Sequence, residues 1–195
     1  MKGRAGDVGS TGVADLLADL RAANPDLRIH LAGHSFGART VSAAARAGDK
    51  ALPVASVSLL QAAFSHFSFA DNWEPGKDGL FRSVLATQRV SGPIVVTHTR
   101  NDRAVGVAYA IASRVAGQVA QSVGDPGDKY GGLGRNGALK TPEATSGRLL
   151  AAGAGAYDLQ PGRVHNLLAD EFISNHGDVA GTEVAYAVLS AIAFG

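Results

Sequence analysis

Short apolar runs that alternate with small-residue helical stretches constrain this chain more than any other feature. Leu27 to Ala32, Val54 to Leu60 and Pro93 to Thr97 are each compact and apolar, and strand signals resume near 148–151 and 163–168. Runs of this length suit parallel strands that are buried on both faces. Between them lie an alanine-rich helical stretch over about 38–47, a small-residue stretch over about 105–123, and a closing helix over about 179–193. Strands that alternate with helices imply an α/β fold, a mostly parallel sheet flanked by helices. With 195 residues, 46% apolar and 18% charged, the chain can bury one core, and 1–195 is read as a single domain.

Three further segments shape the expectation. Residues 12–23 place Val13, Leu16, Leu17 and Leu20 on one helical face, and Asn24-Pro25 ends that helix because the residue before proline disfavours helical backbone. The stretch 62–92 holds Phe64, Phe67, Phe69, Phe81 and the only tryptophan, Trp73, which fits either a lid and pocket segment or ordinary core. Residues 124–147 are glycine-rich without a clear period, and loops of that length are often functional or mobile.

The turn between the first strand and the alanine-rich helix reads Gly33-His34-Ser35-Phe36-Gly37. This matches the nucleophile elbow G-x-S-x-G in its required context of strand, turn and helix. A serine on such a strained turn stands clear of the sheet, and its neighbours two residues away must be small. Gly33 and Gly37 meet that need. The following helix starts just beneath the serine, with N-terminal amides that favour negative charge.

A serine hydroxyl is a weak nucleophile until a base takes its proton, and the base needs an orienting acid. Asp102 follows the strand Pro93 to Thr97 at its C-terminal end, where ligand-facing groups of parallel sheets gather. His176, in Ser174-Asn175-His176-Gly177-Asp178, lies after the last strand and before the last helix. Each position also has a structural reading. Ser35 suits a plain strand-to-helix turn, Asp102 a helix cap for the stretch beginning near Ala104, and His176 a locally bonded loop. Asp71, Asp125, Asp158 and Asp170 are the rival acids. His34 is read as a pocket or packing residue beside the serine, and His66, with Phe64 and Phe67, as a tentative pocket wall. His30 and His165 sit inside strand-like segments, and His98 ends one.

Taken together, Gly33-His34-Ser35-Phe36-Gly37, Asn101-Asp102 and Asn175-His176-Gly177-Asp178 resemble the α/β-hydrolase superfamily, over the segments from residue 12 to the end. The chain looks most like the C-terminal catalytic half of bacterial hydrolases. The resemblance implies Ser35 as nucleophile, Asp102 as acid, His176 as base and the Phe36 amide as one oxyanion donor. It implies hydrolysis of a carboxylic ester through an acyl-enzyme, with thioesters, amides and acyl transfer served by the same elbow. The pattern departs at the front, where one helix and no strand precede the elbow strand, so an α/β-hydrolase-like sheet minimal or truncated at its N-terminus is expected. The elbow strand then becomes an edge, open to a second copy or a complementing chain. A second oxyanion donor would have to come from elsewhere, such as a flexible segment from Met1 to Thr11.

Composition removes several other classes. With no cysteine, disulfides, thiolate metal sites and thiol catalysis are excluded. A net charge of +1 without a dense Lys/Arg cluster gives no footprint for nucleic acid. No histidine pair has metal-ligand spacing, so neither metal nor cofactor is expected. Gly131 to Gly137 follows no strand and lacks the Gly-Lys-Ser/Thr ending of a phosphate loop. No apolar run spans a membrane and no leader is evident, which reads as cytoplasmic. The competing reading is a hydrolase-fold protein without catalysis, serving binding or assembly.

Overall fold

The computed structural model describes residues 2–49, 52–108 and 126–194. Its centre is a sheet of β1 (His30–His34), β2 (Ser56–Leu60), β3 (Ile94–His98), β4 (Ala144–Arg148) and β5 (Val164–Leu168), in the spatial order β1-β2-β3-β5-β4. Every adjacent pair is parallel. The α/β expectation therefore holds. β2, β3 and β5 are buried through their first four residues, whereas β1 and β4 are half-buried or exposed. That contrast follows from place in the sheet: the central strands carry Val, Leu and Ile to both faces, and the outer ones do not.

Helices cover the two faces. α1 (Lys2–Val8) continues through a π-helical turn, Gly9–Val13, into α2 (Ala14–Ala23). α3 (Phe36–Ala47) lies over β1 and β2, and α4 (Arg82–Ala86) and α5 (Leu133–Asn136) are short. α6 (Thr182–Ile192) packs on β2 and β3. One core cluster joins α3 to Leu59, Ile94, Val96, Phe64, Phe69 and Phe81. A second joins α6 to Val95, Leu167 and Ile173 on the opposite face. Alternation along β3 explains the division, since successive side chains leave a strand on opposite sides.

The structure departs from several expectations. The segment before Thr11 is helical, not flexible. On α2 only Leu17 packs against the core, while Leu16 and Leu20 are 54% and 39% exposed. The reason is that α2 rests beside α3 rather than on the sheet, so its apolar stripe has no layer to cover. β4 falls at Ala144–Arg148, earlier than the 148–151 signal. Most of the helix expected over 105–123 lies outside the described residues, which end there with a π-helical turn at Ala104–Ala108.

Both irregular stretches are packed against each other. Phe64 is fully buried, edge-to-face with Phe69 and Phe81, and Phe67 stacks on Trp73 at 5.3 Å. Residues 62–70 are thus packed into the core, with Ser65 alone half-buried, and exposed positions begin at Asp71. Residues 131–134 run alongside, with Leu133 N–H donating to Phe64 O at 2.8 Å and Gly134 N–H to Ala62 O at 3.0 Å. A Cβ at Gly132 would strike Val105, and one at Gly134 would strike the Gln61 backbone. Close approach of two backbones explains these glycines, and no phosphate cradle is needed to account for them.

His66 lies at this junction. It has no exposed surface, its N–H donates to Gly131 O at 3.0 Å, and its Nδ1 accepts from Asn136 Nδ2 at 3.0 Å. Burial pushes its imidazole down from 6.5 to about 4, partly offset by the nearby Asp128. Between those values the unfolded chain binds a proton that the folded one does not. Stability should therefore be full above pH 6.5 and fall as pH drops toward 4, by up to about 3 kcal/mol from this residue. His98 and His165, also lowered by burial, add to the same acid loss. Urea unfolding across that range should show the decline, and His66→Gln should flatten part of it.

Candidate functional site

The site begins at a strained residue. β1 ends at His34, α3 begins at Phe36, and Ser35 between them has φ 56° and ψ −121°. Positive φ is uncommon for a residue with a Cβ and costs about 1–3 kcal/mol unless its surroundings enforce it. Here they do. Ser35 N–H donates to Leu60 O at 3.0 Å, and Ala63 N–H donates to Ser35 O at 3.1 Å, so both backbone groups are held from the end of β2. Gly33 permits the sharp return. A Cβ there would lie 2.5 Å from Gly37 O and 2.7 Å from Ala38 N. Gly37 differs from expectation, because a Cβ built on it meets nothing within 4 Å. Only the first of the two glycines is sterically required by this turn.

Asp102 follows β3 in a loop anchored by another acid. Asp170, at the end of β5, accepts from Thr99 Oγ1 at 2.8 Å and Arg100 N–H at 2.9 Å, and pairs with the Arg100 guanidinium. Asn101 Nδ2 donates to the carbonyls of Asp170 and Ile173. Asp102 itself is fully buried. Its Oδ1 accepts from Val105 N–H at 2.8 Å, capping the turn that follows. Its Oδ2 accepts from His176 Nδ1 at 2.8 Å and from Gln61 Nε2 at 3.4 Å. One oxygen thus caps the turn, the role a helix cap predicts, and the other accepts from His176.

His176 is carried by the loop between β5 and α6. Asp178 Oδ2 accepts from both the N–H and the hydroxyl of Ser174, and Asn175 Oδ1 accepts from Gly177 N–H. Those bonds hold the Asp178 carboxyl below its ordinary range. Across the site, His176 Nε2 lies 2.8 Å from Ser35 Oγ, which donates to it. Asp102, His176 and Ser35 thus form one continuous hydrogen-bonded chain, assembled from the C-terminal ends of three parallel strands. Such a chain can take a proton from the serine hydroxyl and stabilise the resulting imidazolium. Beside it, the Phe36 amide opens α3, where the first N–H groups of a helix lack an intrahelical partner, and Ser35 gives no side-chain cap.

The other residues singled out in the sequence fall into place differently. His34 is at the site, with its ring 4.8 Å from that of His176 and its Nε2 2.8 Å from the His176 carbonyl oxygen. Phe64, Phe67 and His66 are buried in the packed interior. His30 bonds Ser56, and His165 bonds Thr145 and Gln160. Asp170 is the loop anchor, Asp158 accepts from Gln160 at 2.8 Å, Asp71 is exposed, and Asp125 lies outside the described residues. Segment 2–11, considered as a source of a second oxyanion amide, is helical, and helical backbone uses its amides internally beyond the first turn. Among the described residues no group of three His, Asp or Glu is placed to hold a metal ion, and no helix is long and apolar enough to cross a membrane.

Gln61 was not foreseen. It is fully buried with φ 44°, and its carboxamide spans Asp102 Oδ2, Gly134 O and Thr97 Oγ1. Its place directly after a buried strand was the only available signal. No family model, curated protein or solved structure matches this chain.

The two glycines separate in a direct test. Gly33→Ala forces β1 away from α3 and should destabilise the fold by about 1–3 kcal/mol while moving Ser35 off His176. Gly37→Ala should leave unfolding midpoints unchanged within about 0.5 kcal/mol. Denaturant unfolding of both variants checks the pair.

Proposed function

We propose that this chain is a serine hydrolase of the α/β-hydrolase kind, cleaving a carboxylic ester through an acyl-enzyme on Ser35. One observation carries the reading: the buried Asp102 holds His176 at Nδ1, His176 holds the Ser35 hydroxyl at Nε2, and Ser35 sits at the tip of a strained turn. In this reading Ser35 Oγ attacks the acyl carbon while its proton passes to His176 Nε2. The carbonyl oxygen gathers negative charge beside the Phe36 amide. His176 then returns the proton to the leaving alcohol. Water, deprotonated by the same imidazole, releases the acid and restores the hydroxyl. Asp102 keeps the proton-accepting nitrogen facing Ser35 and steadies the imidazolium. The aromatic cluster carries no part of the assignment, because its rings fill the core.

Fluorophosphonate labelling, mapped by mass spectrometry, tests this without a known substrate, since the probe reports an activated serine. We expect a single adduct on Ser35, absent in Ser35→Ala and His176→Ala. Asp102→Asn should slow labelling by up to about 10⁴-fold, as a mis-set imidazole tautomer does. An intact, folded protein that takes no label would overturn the proposal.

One observation favours the second reading, a protein of the same fold serving binding or assembly. Among the described residues β1 stands at the end of the sheet, with β2 as its one neighbour. Beside it a groove of Ala32, Leu60, Val184 and Val188 stays open, with Leu189 60% exposed. An unpaired edge next to apolar surface is a site for strand addition, by a second copy or a complementing chain. Light scattering distinguishes the cases: self-pairing predicts a concentration-dependent dimer, and a monomer at all concentrations counts against it.

A further inference from the structure

We infer that His34 is a positioning residue for the base: its ring N–H fixes the backbone of His176 and so sets the angle at which that imidazole meets Ser35. The inference rests on the acyl-transfer reading above for its kinetic consequence, but its geometry stands apart from it.

Alternation along β1 places the residue. Ala32 faces the groove beside α6, and side chains two apart in a strand share a face. His34 therefore leaves the sheet toward the α6 side, where the loop 174–178 descends into that helix. Its Nε2 lies 2.8 Å from the His176 carbonyl oxygen. A carbonyl only accepts, so Nε2 must carry the proton. The two rings touch, 4.8 Å apart and tilted by 40°.

What this bond adds follows from how the base is otherwise held. Asp102 and Ser35 meet the imidazole at Nδ1 and Nε2, and neither bond holds the backbone that carries the ring. The Ser174–Asp178 and Asn175–Gly177 bonds close the loop on itself without tying it to the strand that bears the nucleophile. Among the described hydrogen bonds of this loop, His34 alone joins the backbone of the base to β1, next to Ser35. The nucleophile and the backbone of its base thus hang from adjacent residues of one strand. Displacement of a catalytic group by about 1 Å typically costs about 10²-fold in rate. His34 is half-buried, so its replacement need not disturb the core.

Two variants separate positioning from packing. His34→Phe keeps a ring against His176 and loses the donor. His34→Gln loses the ring but keeps an N–H donor at about the same reach. With p-nitrophenyl butyrate as the probe ester, His34→Phe should lower kcat by roughly 10- to 100-fold with KM little changed, and His34→Gln should recover most of that loss. Fluorophosphonate labelling rates should follow kcat. A second readout does not depend on turnover: the low-field proton resonance of the His176 Nδ1–H···Asp102 bond should broaden or vanish in His34→Phe and persist in His34→Gln, with thermal unfolding matched between them. Equal kcat and an unchanged resonance in His34→Phe would overturn the inference, as would equal impairment of both variants. If the wild type takes no label yet the resonance responds as expected, positioning by His34 stands and the esterase reading fails.

Discussion

The backbone of Ser35 is held from both sides by β2, and the rest of the site depends on that. Its N–H meets Leu60 O, its carbonyl meets the N–H of Ala63, and between those bonds the residue adopts a conformation that a serine in a free loop would avoid. The parallel ladder of β1 and β2, in register from His30 with Ser56 to His34 with Leu60, delivers the two anchoring groups to the right place. Gly33 lets α3 fold back against the strand it has just left. Loss of register by one residue would exchange the faces of β1 and undo the elbow and the His34 contact together.

Around this fixed point the partners arrive from successive strand ends. The loop after β3 brings Asp102 and the loop after β5 brings His176, and β3 and β5 are neighbours in register from Ile94 with Val164 to His98 with Leu168. Asp170 fastens the first loop to the second. The segment Leu60 to Ala63 holds both Ser35, through its backbone, and Asp102, through the Gln61 carboxamide. The site is thus braced from β2 as well as from the strands that bear it. Its buried carboxylate, with both oxygens bonded, avoids the large cost of an unpaired charge away from water.

The fold class was legible because buried strands declare themselves locally, and the three residues that the structure brings together were legible as candidates. Apolar runs such as Pro93 to Thr97 declare buried strands by composition alone, and the elbow needs small residues at fixed offsets from a serine. Asp102 and His176 were found because strand ends in a parallel sheet gather on one side. Other parts were misread for a physical reason. Val13, Leu16, Leu17 and Leu20 form a helical stripe in the sequence, yet only the position of α2 beside α3 decides that Leu16 and Leu20 face outward. The phenylalanines between 62 and 81 read equally as pocket or core, because an aromatic ring buries the same area in either. The glycines at 132 and 134 suggested an open loop, whereas they answer to Val105 and Gln61, residues distant in the chain.

The sequence by itself determined the alternation of strands and helices and the elbow at Ser35, which rest on periodicity and spacing within a few residues, and the candidates Asp102 and His176, which rest on their place after strand ends. Only the tertiary structure decided that Asp102 both caps a turn and holds His176, that Gln61 bonds Asp102 and His34 bonds the His176 carbonyl, that Gly33 is required where Gly37 is not, and that His66 is buried in the core. Those outcomes depend on which backbone lies within hydrogen-bonding or van der Waals reach of which side chain. Most of these contacts join residues 36 to 142 positions apart, such as Gln61 with Thr97 and His34 with His176, and no local pattern encodes them.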